Sequence, residues 1–150
     1  MKERTVAVVT GDVNASSQLD PRAARGLEGL LEDCFVALTR ALPAAEAQGY
    51  SGFRGDSWQF VVGAPKRAVR AALYYRATLL FRSDDELGQR LHSAAAIGFG
   101  TVEYLPSDTS RAGGGEAYAR SGKRLDRLRR RVPGMGAAGL GESDGPVDAL

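Results

Sequence analysis

The chain has 150 residues, 43% hydrophobic and 25% charged, with a net charge of +2. That length builds one core and not two ordinary domains, and a charge so near zero excludes a molecule that binds nucleic acid over its whole surface. The single cysteine, Cys34, has no partner for an internal disulfide, and no apolar run is long enough to cross a membrane.

Met1-Lys2-Glu3-Arg4 passes directly into residues 5–9 without the pattern of a secretory leader, so a cytoplasmic location is expected. Residues 5–9 (TVAVV) are β-branched and apolar and predict a buried strand. Thr10-Gly11-Asp12 brings turn chemistry that ends it and leaves Asp12 at its C-terminal edge. Asp20-Pro21 then reads as an N-cap followed by proline at the first helical position. Leu27, Leu30, Leu31, Cys34, Leu38 and Leu42 recur at three- and four-residue intervals, one apolar stripe on a helix running to about Pro43. Cys34 lies in that stripe and reads as a core thiol.

Residues 49–54 and 57–62 predict two strands joined through Arg54-Gly55-Asp56-Ser57, a hairpin signal. Ala64-Pro65 opens a second helix with Val69, Ala72, Leu73, Leu79 and Leu80 on its buried side, until Ser83-Asp84-Asp85 interrupts it. Residues 91–102 predict a fourth strand, with Gly98 and Gly100 where a strand bends or lets another group come close. His92 has no second histidine or cysteine nearby and reads as a surface or edge residue. After a glycine-rich loop, residues 116–131 predict a last helix, on which Arg120, Lys123, Arg124 and Arg127 share a face that either meets phosphate or is simply solvated. Residues 132–150 are rich in glycine, alanine and proline and lack periodicity, which predicts a flexible tail behind a domain spanning 1–131.

The order is that of an α+β, ferredoxin-like βαββαβ plan with an added C-terminal basic helix. In this plan the first strand lies beside the strand that follows the hairpin, so Asp12 and Asp56 reach one sheet edge from distant parts of the chain. Adjacent carboxylates repel unless a cation lies between them, and a hard divalent ion, Mg²⁺ or Mn²⁺, takes oxygen ligands of this kind. Asn14, Ala15, Ser16 and Ser17 follow at a strand-to-helix turn, where backbone N–H groups favour an anion such as a triphosphate, and Gly55 of the hairpin joins them as a candidate binding position. Read as turn residues alone, Asp12 would make an Asx-turn and Asp56 a hairpin turn, and spacing leaves both readings open.

Four pieces in order, Thr10-Gly11-Asp12-Val13-Asn14-Ala15-Ser16, Gly55-Asp56-Ser57-Trp58-Gln59, Ala96-Ile97-Gly98-Phe99-Gly100 and Gly115-Glu116-Ala117-Tyr118-Ala119-Arg120, resemble the SatD family and, more distantly, class III nucleotidyl cyclases. The resemblance spans about residues 5–130. It implies a cyclase-type palm in which Asp12 and Asp56 bind metal, with the Val13 carbonyl as a further ligand. It also implies a nucleoside triphosphate as substrate, a site assembled across a homodimer, and Lys123, Arg124 and Arg120 as the cations that steady transition-state charge.

The departures are specific. Where the cyclases carry a base-selecting lysine three residues before the hairpin Gly-Asp, this chain has Gly52, and their ribose-orienting asparagine corresponds to Ala119. The hairpin also lacks the first glycine and second acid of diguanylate cyclases. The expected function is therefore a Mg²⁺-dependent nucleotidyl cyclase or nucleotidyltransferase-like activity, with a non-catalytic nucleotide- or metal-sensing module as the alternative. Nucleic acid enters only through the arginine-rich helix, where Trp58, Phe60 and Tyr118 could stack on bases but read more simply as core.

Overall fold

The computed structural model describes residues 4–53, 55–106, 113–128 and 135–138. Five strands, β1 (Val6–Val13), β2 (Ala47–Phe53), β3 (Ser57–Val62), β4 (Ser93–Gly100) and β5 (Met135–Ala138), form one sheet in the order β2-β3-β1-β4-β5. The first four are mutually antiparallel, and β5 joins β4 in parallel. The helices α1 (Pro21–Ala41), α2 (Ala68–Leu87) and α3 (Glu116–Leu128) complete the expected βαββαβ plan and its additional helix.

The sheet has two different faces. Strand alternation sends Ala7, Val9 and Val13 of β1, Trp58, Phe60 and Val62 of β3, and Ala95 and Ile97 of β4 into the main core, where α1 and α2 cover them. Trp58, Phe60 and Tyr75 pack together at its centre, with the Trp58 and Tyr75 ring centroids 4.2 Å apart. The opposite face carries Val8 and Val61 against Ala117 and Tyr118, and Ala94 and Ala96 against Leu125 and Leu128, so α3 covers it.

Helix α1 follows its sequence signals closely. Pro21 stands in its first turn, the Asp20 carboxylate accepts from the Ala23 N–H at 2.8 Å, and Leu27, Leu30, Leu31, Cys34 and Leu38 are buried. Burial pushes the Cys34 thiol up to about 12, as befits a core residue.

Four expectations change. Strand β1 does not end at Thr10-Gly11-Asp12: it pairs with both β3 and β4 through Asp12, because two neighbours satisfy its backbone groups and override the local turn preference. Helix α2 runs through Ser83-Asp84-Asp85 to Leu87, since the Ser83 hydroxyl is buried, donates to the Leu80 carbonyl and accepts from the Leu91 N–H at 2.8 Å. Its buried side is Ala68, Ala71, Ala72, Tyr75, Leu79 and Ser83, while Leu73 is 43% exposed. Within the segment read as a tail, residues 135–138 form β5, and residues 139–150 lie outside the described residues.

Candidate functional site

The acidic end of the sheet is built by register. Asp12 pairs with Ser57 of β3 on one side and Ala94 of β4 on the other, and the next rung is closed by the Val13 N–H donating to the Asp56 carbonyl at 2.9 Å. The two aspartates, far apart in sequence, thus stand on neighbouring rungs of the β1–β3 ladder. Asp12 lies within a strand and so is no turn residue, whereas Asp56 does sit in the hairpin turn with Gly55, whose φ of 78° suits glycine. Both acids are half-buried. Arg54 lies outside the described residues.

Each carboxylate has a serine beside it. The Ser57 hydroxyl donates to Asp12 Oδ1, and the Ser16 hydroxyl donates to Asp56 Oδ2 at 2.5 Å. Ser16 opens a short 3₁₀ turn after β1, preceded by Ala15 in the left-handed region at φ 53°. Asn14 donates its backbone N–H to the His92 carbonyl at 2.8 Å, while its side-chain Nδ2 is buried with no hydrogen-bond partner among the described residues. An amide N–H left unspent in the segment after Asp12 suits an oxygen-rich ligand. Ser17 is exposed. The strand beneath is fixed from the core side: Trp58 Nε1 donates to Ser93 Oγ at 2.9 Å, and that hydroxyl donates to the Asp12 carbonyl at 2.7 Å.

Backbone register sets Asp12, Val13 and Asp56 on adjoining rungs with Ser16 on the Asp56 carboxylate, and the cations of α3 are placed individually. Arg120 donates to the Phe99 carbonyl at 2.6 Å and pairs with Glu116 at 2.7 Å. Phe99 lies five residues along β4 from Ala94, the partner of Asp12, which is about 17 Å of strand. Arg124 is only 8% exposed, whereas Lys123 and Arg127 are open to solvent. The four residues therefore do not share one open basic face. Helix α3 turns Ala117, Ser121, Leu125 and Leu128 onto the sheet, and Arg124 goes inward with them. Residues 129–131, the rest of the basic run, lie outside the described residues. Trp58 and Phe60 are fully buried and Tyr118 nearly so, which makes them core and not a stacking platform.

Two features escaped the sequence reading. Ser57 was legible as part of the hairpin but not as the partner of Asp12; the alternation of Ser57, Gln59 and Val61 along β3 was the available signal. The second is a pocket of 480 Å³ on the α3 side of the sheet, lined by Phe53, Gln59, Gly113, Gly114, Gly115, Tyr118 and Ala119. Nothing in the sequence joins those three segments. Among the described residues no group of three or more His, Cys, Asp or Glu side chains is arranged for a metal ion, so the candidate centre is a two-acid one. No described helix is long and apolar enough to cross a membrane.

A scan against protein-family models gives no match, and a search of curated proteins gives none either. Solved structures do match. The guanylyl cyclase Cya2 is similar at 18% identity and a TM-score of 0.59, over 84% of this chain and 71% of that one. A bacterial light-regulated adenylyl cyclase matches at 18% identity and a TM-score of 0.60, over 91% and 77%. The adenylyl cyclase CyaB from P. aeruginosa matches at 15% identity and 0.53, over 84% and 73%. At these identities the likeness establishes the fold: the chain has the architecture of an adenylyl or guanylyl cyclase domain.

Proposed function

We propose that this chain is a nucleotidyl-cyclase-like domain that binds a nucleoside triphosphate together with Mg²⁺ or Mn²⁺ at Asp12 and Asp56. The observation that supports it is the pairing of these two acids on neighbouring rungs of β1 and β3, at one end of a cyclase-type sheet. The donor set suits the ion. Two carboxylates and a backbone carbonyl at Val13 are hard oxygen donors, and Mg²⁺ asks the protein for few ligands because phosphate and water fill the rest. When bound, the metal supplies Lewis-acid neutralisation of phosphate charge.

The chain's own residues orient that chemistry. Ser57 and Ser16 hold the two carboxylates in place, and the Asn14 amide offers a donor to a phosphate oxygen. In the catalytic form of the reading, a ribose hydroxyl attacks the α-phosphorus and pyrophosphate leaves. Lys123, exposed on α3 as Arg127 is, is the group assigned to meet the developing charge, contributed by a second copy in a homodimer.

A sensing module is the second reading, and one observation favours it. Arg124 is buried and Arg120 is held by Glu116 and Phe99, so of the three cations assigned to transition-state charge only Lys123 is open to solvent. Incubating the protein with each of the four nucleoside triphosphates and Mg²⁺ or Mn²⁺, with pyrophosphate release and nucleotide binding measured in parallel, separates the two. Pyrophosphate that disappears in Asp12→Asn and Asp56→Asn establishes the enzyme. Metal-dependent binding without pyrophosphate establishes the sensor, and no binding of any triphosphate defeats both.

A further inference from the structure

The outward face of α2 carries apolar side chains that the core does not use. Ala68, Ala71, Ala72, Tyr75, Leu79 and Ser83 turn into the molecule, whereas Leu73, Ala77 and Phe81 are open to solvent, Phe81 at 74%. Four-residue steps place these three in one line along the helix. An apolar line left in water marks a contact surface more than a solvated helix face. Steps of three residues extend the line at both ends, to Arg70 before Leu73 and to Asp84 after Phe81, and both are exposed. The line is therefore symmetric in spacing about Ala77 and opposite in charge at its two ends.

The order of those charges works against the helix that bears them. Lys66 and Arg67 precede α2 and Arg70 stands in its first turn, while Asp84, Asp85 and Glu86 stand in its last. A helix dipole favours acids at the N-terminus and bases at the C-terminus, the reverse of this arrangement. Asp84 does meet Arg90 at 3.4 Å, but both side chains are more than half exposed, and such a pair carries little weight. The helix gains nothing from this order, whereas an antiparallel neighbour with the same order gains twice.

We propose that α2 docks on α2 of a second copy of this chain, antiparallel, about a two-fold axis through Ala77. Leu73 then meets Phe81 of the other copy and Arg70 meets its Asp84, and each contact occurs twice because the surface is self-complementary. Ala77 faces its own counterpart at the crossing, where a small side chain lets the helix axes approach to about 8 Å. Helix α2 covers the face of the sheet opposite α3, so this contact is separate from one that brings Lys123 to the acids, and it does not depend on the proposed function. A single helix pair about 30 Å long lies at the small end of specific interfaces, which makes the association reversible, with a Kd on the order of 10 µM.

The test is sedimentation equilibrium of the full chain, free of nucleotide and metal, from micromolar to millimolar concentration. Wild type shows a monomer–dimer equilibrium, Phe81→Ser weakens it at least about tenfold, and Arg70→Asp weakens it about tenfold by setting like charges opposite each other twice. Arg70→Asp combined with Asp84→Arg restores the wild-type dimer. The two positions lie about 21 Å apart along one helix, so only contact between copies produces that rescue. The exchange also corrects the charge order for the helix dipole, so the double variant melts no lower than wild type. Ala77→Cys, on the axis, oxidises to a covalent dimer, since the native Cys34 is buried, whereas Arg70→Cys, distant from its own counterpart, does not. A chain that stays monomeric at millimolar concentration, a dimer that Phe81→Ser and Arg70→Asp leave intact, or a double variant no better associated than Arg70→Asp overturns the assignment.

Discussion

The acidic end of the sheet and helix α3 both carry the residues a nucleotide site would need, and the fold treats them in opposite ways. At the acidic end, backbone register does the positioning: Asp12 and Asp56 are carried on paired strands, and their side chains remain half-open with a serine on each. On α3, packing does the positioning: small and apolar residues seat the helix, Arg124 is carried inward, and Arg120 is tied to Glu116 and Phe99. Register keeps charge available, whereas close helix seating consumes it.

Substitutions at the two seats break or sharpen that contrast. The largest effect belongs to Gly11→Ala, in β1 just before Asp12. Its β-carbon would lie 2.1 Å from the Trp58 ring and 2.6 Å from the Ala94 carbonyl, and the overpacking costs about 3 kcal/mol in urea unfolding. Gly98→Ala comes next at about 2 kcal/mol, because the new carbon would lie 2.2 Å from the Ala117 carbonyl of α3. A harmless Gly98→Ala would remove the close seating that explains why Arg124 is buried.

Smaller effects sharpen the edges of each region. Asp20→Ala, which removes the N-cap of α1 after the candidate phosphate loop, costs about 1 kcal/mol. Arg120→Ala costs about 0.5 kcal/mol, since its ion pair with Glu116 is substantially exposed, and the loss shrinks further in high salt. A loss several times larger would mean that Arg120 is a structural anchor of α3 through the Phe99 carbonyl.

Most of the fold could be read from the chain because its signals are local. Asp20-Pro21 announced α1, the Leu27 to Leu38 stripe its buried side, and Gly55-Asp56 the hairpin. The errors came where tertiary partners override local chemistry. Thr10-Gly11-Asp12 looks like a turn until two flanking strands claim its backbone, and Ser83 looks like a breaker until the Leu91 amide needs its hydroxyl. The same limit governs the site. Two aspartates at strand ends could be foreseen as neighbours from strand order, but the helical spacing of Arg120, Lys123, Arg124 and Arg127 gives no indication which way the helix is rotated on the sheet. That rotation is set by Gly98, Ala94 and Ala96 of β4, residues far from α3 in sequence.

The central claim is that Asp12 and Asp56 act together on one metal-bound triphosphate. Calorimetric titration of each nucleoside triphosphate into the wild-type chain, Asp12→Asn and Asp56→Asn, with Mg²⁺ or Mn²⁺ and again with chelator, tests it most directly. The account predicts binding in wild type only with metal, and loss of that binding in both variants while their melting temperatures hold. Triphosphate binding that ignores the chelator, or that survives either substitution, would contradict it.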